Sequence, residues 1–221
     1  MLCISDLFDL SHSLAGEYLS AFTYPYEALG GIKALIARLG PTLDKEKYTE
    51  VSANVWVAKS AKVMSSAYIG EYTIVGEETE VRHCAFIRGA ALIGDGCVVG
   101  NSTEIKNAIV FDGVQIPHYN YVGDSILGYR SHMGAGSIAS NFRSDKGNIR
   151  VRDGETVIET GLRKLGTMLG DFAEIGCGSV LSPGSTVGRH SIVYPLSHVR
   201  GTVPERHILK DGGVLVPRTE K

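Results

Sequence analysis

An arginine and a lysine stand 18 residues apart at Arg88 and Lys106, followed by His118, Tyr121, His132 and Asn141. A guanidinium and an ammonium that converge do so on an anion, and a phosphate suits that pair. An imidazole titrates near neutral pH and is suited to take a proton from a reacting group. The Gly134-Ala135-Gly136 run leaves a backbone corner open to a ligand. Together these residues describe a phosphorylated substrate and a proton transfer next to it. On spacing alone, the alternative is that Arg88 and Lys106 are two solvated surface cations splayed apart.

The element that must position them is a six-residue beat. Aliphatic residues fall at Val51, Val57, Val63, Ile69, Val75, Val81, Ile87, Ile93, Val99 and Ile105, and four residues after each comes a column of small or β-branched side chains from Val55 to Ile109. A hexapeptide period is the signature of a parallel β-helix, whose units bury their apolar positions only by stacking. Three hexads close one triangular coil, so residues 18 apart stack at the sheet spacing of about 4.8 Å. Arg88 therefore sits next to Lys106, and two like charges so placed repel by about 1 kcal/mol in water-like dielectric, a repulsion that a bound anion reverses. His118, two hexads beyond Lys106, is expected two faces on, so that the two meet only across a subunit boundary.

Composition bounds the function. The chain has 221 residues, 43% of them hydrophobic, and a formal net charge of −2. That balance excludes nucleic-acid or membrane partners held by bulk charge. Cys3, Cys84, Cys97 and Cys177 form no C-x-x-C pair and no metal-ligand spacing, so no metal is expected, and Cys97 in the small column reads as a core filler. No basic leader and no apolar run of about 18 residues is present, from which a cytoplasmic setting is expected.

Three domain segments are predicted. Residues 1–50 break the beat and carry two helical patterns, around Leu7–Leu19 and Ala28–Leu39, expected to cap the first coil's exposed edge; the alternative is a helical partner-binding arm. Residues 51–203 form the β-helix. Its beat falters at Phe111, shortens to five residues between Val122 and Leu127, and disappears in an excursion at about 139–168 before resuming at Leu169. Loops of that length in a compact array are usually functional. Residues 204–221 have no period and read as a tail packed along the last coil.

The stretch from Arg88 to Gly188 resembles the acetyltransferase half of the bifunctional glucosamine-1-phosphate acetyltransferase/N-acetylglucosamine-1-phosphate uridylyltransferase and of related sugar-phosphate nucleotidyltransferases. The resemblance rests on the Arg88–Lys106 spacing, on His118 twelve residues further in an H-x-x-Y motif with Tyr121, and on the Gly134-Ala135-Gly136 corner followed by Asn141. It implies an all-β fold, a left-handed parallel β-helix of hexapeptide repeats with a short N-terminal helical cap, assembled as a homotrimer. It also implies an acetyl-CoA-dependent N-acetyltransferase acting on a hexosamine 1-phosphate. His118 would be the catalytic base. Arg88, Lys106, Tyr121, His132 and Asn141 would bind the sugar phosphate, and Ala135, Cys177 and Arg200 the coenzyme, with Arg206 and Lys210 as further candidates for its phosphates. A backbone N–H around Ala135 would meet the charge developing on the acyl oxygen. The chain departs from the family in having His132 in place of an asparagine, Cys177 where the family has a serine-containing turn nearby, a longer excursion, and no nucleotidyltransferase half within residues 1–50. That last departure keeps open a non-catalytic sugar-phosphate-binding or assembly module partnered by a separate nucleotidyltransferase. A trimeric metal lyase would need three histidine ligands, and His83, His118 and His132 do not match its spacing.

Overall fold

The computed structural model describes residues 2–219 and is a parallel β-helix of hexapeptide repeats with a short N-terminal helical cap. Each coil has three faces. The first is built from Val55–Ala58, Thr73–Val75, Ala91–Ile93, the second half of Glu104–Val110, the second half of Tyr121–Leu127, Thr167–Leu169, Ser185–Val187 and Thr202–Val203. The second runs from Lys62–Val63 to His207–Leu209. The third runs from Tyr68–Ile69 through Phe86–Ile87 and the first halves of the two long strands to Ile138–Ala139, Val180–Leu181 and His198–Val199. The aliphatic beat points inward, where Val75, Val81, Ile87, Ile93, Val99 and Ile105 are fully buried. Cys97 shares that interior, donates to the Phe111 carbonyl over 3.0 Å, and burial pushes its thiol up to about 12.

Four expectations are corrected. Val51 opens no coil: Tyr48–Ser52 runs antiparallel to Val55–Ala58 and shields the first coil's edge. The beat does not falter at Phe111. It slips by one residue, so Val110 takes the inward slot, stacked on Ile93 and Leu127, and Ile109 points outward. The same slip recurs at Leu127, and both shortened corners lie between the third and first faces. Nor is the C-terminal segment an aperiodic tail, because Leu209 stacks on Val193 in a regular strand and Leu215–Pro217 folds back antiparallel on that strand.

The cap is the fourth correction. It consists of α1 (Ile4–Leu7), α2 (Gly16–Ser20) and α3 (Ile32–Leu39), joined by 3₁₀ turns. Instead of closing the end of the helix, it lies along the first face. The outward residues there, Ile74, Leu92, Ile109 and Ile126, form an apolar column as buried as the interior. Phe8 packs on Phe111 at 5.2 Å and His12 stacks on Tyr129 at 3.6 Å. Asp171 anchors the cap by accepting the N–H groups of Asp9 and Tyr129 while pairing with Arg189 at 3.2 Å. Further along, the excursion covers the same face with the hairpin Arg150–Asp153/Thr156–Glu159, inserting Ile149 and Val151. No helix among the described residues is long and apolar enough to cross a membrane.

Candidate functional site

The third face is left uncovered by cap and excursion, and chemistry-bearing residues gather along its two edges. At the corner where it passes into the first face, Arg88 follows Ile87 and Lys106 follows Ile105, and these two aliphatics are in register. The corner column continues through Gly123, Ser140 and Ser182 to Arg200. At the opposite corner, between second and third faces, His118, Ala135 and Cys177 stack in one column that leads to Pro195: the N–H of Gly136 donates to the His118 carbonyl, that of Gly178 to Ala135, and that of Leu196 to Cys177. Glu104 and Tyr121 stand between the corners, pointing outward. His118 and Lys106 therefore border one face of a single prism, not different faces, and lie at opposite ends of the chain segment that crosses it.

Both cations carry internal partners. Arg88 Nη1 meets Glu104 Oε1 at 2.9 Å, and this bond holds its guanidinium above its ordinary pKa. Lys106 Nζ lies 3.2 Å from both oxygens of Asp124. Asp124 is a residue that motif reading missed. It is 5% exposed, has φ +49°, and also accepts from Asn107 Nδ2 at 2.8 Å and Asn141 Nδ2 at 2.5 Å. A Cβ at Gly123 would come within 2.6 Å of both Asn141 Nδ2 and the Tyr121 hydroxyl, so a larger residue there would push those two side chains aside. Burial first, then the charges of Glu104 and Asp124, raise the Tyr121 phenol, against a hydrogen bond from Asn141. Tyr121 is thus a proton donor at neutral pH and not a base.

Asn120 was also missed, and its signal was available: it occupies the small-column slot four residues after Ile116. Buried there, it accepts the His118 N–H at 3.0 Å and donates to the Gly134 carbonyl at 2.8 Å, tying the histidine's corner to the glycine corner. In that corner the N–H groups of Gly134, Gly136 and Ser137 are spent on backbone carbonyls, which leaves that of Ala135, among the described residues, without a hydrogen-bond partner.

Of the expected gathering of Tyr121, His132 and Asn141, only Tyr121 and Asn141 meet. His132 lies on the second face with Nδ1 2.9 Å from Glu174 Oε2, and Asn141 is turned inward on Asp124. Arg200 stands at the opposite edge of the third face from Ala135 and Cys177. Lys210, by contrast, lines a hollow of about 630 Å³ with Pro195, Leu196, Gly212 and Gly213, at the end of the Ala135–Cys177 column.

A family model described as the GMPPB C-terminal domain matches residues 80–208. Among curated proteins, the bifunctional sugar-1-phosphate nucleotidylyltransferase/acetyltransferase of Sulfurisphaera tokodaii is 33% identical over 88 residues, 40% of this chain and 22% of that protein. The bifunctional protein GlmU of Methanococcus maripaludis is 34% identical over 86 residues, 39% of this chain and 21% of that one. The matched region thus spans about a fifth of these relatives. Among solved structures, the acetyltransferase domain of PglB from Neisseria gonorrhoeae, in complex with acetyl coenzyme A, has a TM-score of 0.36 and 19% identity, covering 74% of this chain and 57% of that one.

Proposed function

This chain belongs to the GMPPB C-terminal domain family, and we propose that it is an acetyl-CoA-dependent N-acetyltransferase acting on a hexosamine 1-phosphate. The observation that carries the reading is the uncovered third face, with the Arg88–Lys106 pair along one edge, the His118–Ala135–Cys177 column along the other and Tyr121 between them. The relatives named for both nucleotidylyl- and acetyltransfer support the substrate class. Arg88 and Lys106 hold the sugar phosphate at one edge, with Glu104 and Asp124 as the counter-ions it must share or displace. At the other edge His118 takes a proton from the substrate ammonium, so that the nitrogen lone pair can attack the acyl carbon. The Ala135 N–H meets the charge developing on the acyl oxygen, and Tyr121 donates a hydrogen bond across the face. The residues fit a coenzyme along the Ala135–Cys177 column, with Lys210 at its far end for phosphate. Acetyl-CoA supplies the acyl group; the amide nitrogen keeps it, and the thiol leaves.

A homotrimer is part of this reading. Tyr68, Phe86, Ile138 and Val180 are 59%, 42%, 38% and 39% exposed in the outward column of the third face, two apolar patches on either side of Glu104 and Tyr121 that suit a neighbouring prism. One observation favours the non-catalytic alternative: among the described residues the His118 ring has no hydrogen-bond partner to orient it, as a general base usually has.

The deciding experiment is thiol release from acetyl-CoA against a panel of hexosamine 1-phosphates. Turnover is expected with at least one, and His118→Ala should lower kcat about 10²- to 10⁴-fold. No thiol release with any amino-sugar phosphate, together with retained sugar-phosphate binding, would establish the non-catalytic module instead.

A further inference from the structure

The excursion from the β-helix builds a cationic hollow that the acetyl-transfer reading does not use. It holds about 480 Å³ and is lined by Arg143, Arg150, Arg152 and Arg200, with the hydroxyls of Ser140 and of Ser182, the latter 2.8 Å from His198 Nε2. One acid, Asp145, is in the lining, and it is already engaged by Arg143. Arg150 is matched by Glu159 at 2.6 Å, across the hairpin. Arg152 and Arg200 have no acidic partner among the described residues, and the two also line an adjoining hollow of about 450 Å³ that contains no acid. Four guanidiniums converge here in a chain whose net charge is −2.

The hairpin presents these groups from a fixed position. Ile149 and Val151 are buried, and Thr202 Oγ1 donates to the Arg152 carbonyl at 2.8 Å. Gly201, at φ +86°, lets the hairpin approach, since a Cβ there would lie 3.2 Å from that carbonyl. Arg152 from the excursion and Arg200 from the corner column are therefore brought together by backbone contacts beside them. Phe142, 41% exposed, lines the same hollow with Val180 and Pro183, offering an aromatic face next to the charges. Along the corner, Arg200 lies four coil steps from Lys106, roughly 19 Å away, beyond the reach of one phosphate held by both.

We propose that Arg152 and Arg200 form a second anion site, separate from Arg88 and Lys106, which binds a nucleoside diphosphate. The two unpaired guanidiniums take the phosphates as charge-assisted donors, Ser140 adds a hydroxyl donor, and Phe142 stacks on the base. The site does not depend on acetyl transfer.

Titration calorimetry of the intact protein with ADP, GDP and pyrophosphate tests it. Both nucleotides should bind in the micromolar range, Arg152→Ala and Arg200→Ala should each weaken them at least tenfold, and Phe142→Ala should weaken the nucleotides several-fold but not pyrophosphate. Arg88→Ala/Lys106→Ala should leave nucleotide binding unchanged. Far-UV circular dichroism and elution volume identify any variant that fails to fold, in which case Arg152→Lys and Arg200→Lys, which keep the charge but not the fork geometry, replace it and should weaken binding several-fold. The proposal is overturned if neither nucleotide binds at millimolar concentration, or if folded Arg152→Ala/Arg200→Ala binds as tightly as the wild type. Loss of binding in Arg88→Ala/Lys106→Ala alone would assign the nucleotide to the first anion pair and also overturn it. A Phe142→Ala variant with unchanged nucleotide affinity would reduce the site to a bare diphosphate site and refute the nucleoside part.

Discussion

Asp124 is the residue at which stability and the candidate site are most tightly joined. Its carboxylate takes hydrogen bonds from Lys106, Asn107 and Asn141. The three donors are unequal once it is removed. The Lys106 side chain is 26% exposed, so its ammonium can turn to water, whereas the Asn141 amide is buried. A buried donor left unpaired costs about 1–3 kcal/mol, and a lost bond to a charged group about as much again before solvent discounts it. Asp124→Ala should therefore destabilise the protein by about 2–4 kcal/mol, which for a chain of this size lowers Tm by roughly 5–15 °C. Asp124→Asn keeps an acceptor and a residue type that tolerates the left-handed backbone at φ +49°, so it should lose about half as much. The same change removes a negative charge competing for Lys106. At about 6 Å and an effective dielectric near 40 that repulsion is about 1.4 kcal/mol, so inorganic phosphate should bind Asp124→Asn up to about tenfold more tightly. Differential scanning calorimetry and phosphate titration measure both. An Asp124→Ala midpoint within a degree of wild type, or weaker phosphate binding by Asp124→Asn, would refute the reasoning.

If Arg88 and Lys106 hold one phosphate, each change to Ala should raise KM for a hexosamine 1-phosphate at least tenfold, and the double change should cost less than the sum because both neutralise one anion; steady-state kinetics checks this. Light scattering at micromolar concentration should give a trimer, and Phe86→Asp should shift it to monomer by charging one of the exposed apolar patches of the third face. Asp171→Ala should destabilise the protein by about 2–4 kcal/mol through the unpaired N–H groups of Asp9 and Tyr129 and make the cap susceptible to limited proteolysis. Burial raises the Asp171 carboxyl above its ordinary pKa, so the folded state binds this proton more tightly than the unfolded state. The advantage of Asp171 over Ala should accordingly be greatest below about pH 4 and decline as pH rises through the raised folded value, which denaturation midpoints across pH 3–7 would record.

Much of the β-helix could be read directly, because the inward positions obey one rule in every coil and a six-residue aliphatic beat matches neither the 3.6-residue period of an α-helix nor the two-residue alternation of a flat sheet. The corners were harder. A five-residue step between Ile105 and Val110 moves Ile109 from the inside to the outside, and nothing local marks it, since Val110 and Phe111 are both acceptable interior residues. The position of the cap was legible only by comparing outward residues between coils: Trp56, Ile74, Leu92, Ile109 and Ile126 are apolar at the position where a solvated face would be polar. A face apolar on both sides must be covered, and the N-terminal helices are long enough in sequence to do so. Site residues fared unevenly for a similar reason. Arg88, Lys106 and His118 stand in corner columns that spacing determines, whereas His132 differs by its place within the coil and Asn141 by where its side chain turns. Asn120 and Asp124 carry no motif, and their roles come from burial.

The stacking rule also limits how the site can work. Side chains in one corner column are held at coil spacing, and the two columns that border the third face are kept apart by the strand between them. A substrate gripped at Arg88 and Lys106 must extend across that strand to reach His118, over a surface formed by Glu104 and Tyr121. A single flat face can bind both ends of such a ligand but cannot exclude water from the middle, where the proposed reaction would deprotonate an amine and let it attack. The first face is closed to any partner by the chain's own cap and excursion, and the second carries Lys62, Glu80, Arg82, His132 and Glu174 in ion pairs. The third, with exposed Phe86 and Ile138 flanking Glu104 and Tyr121, is the face on which a second wall would bury hydrophobic surface and enclose the proposed reacting centre at the same time.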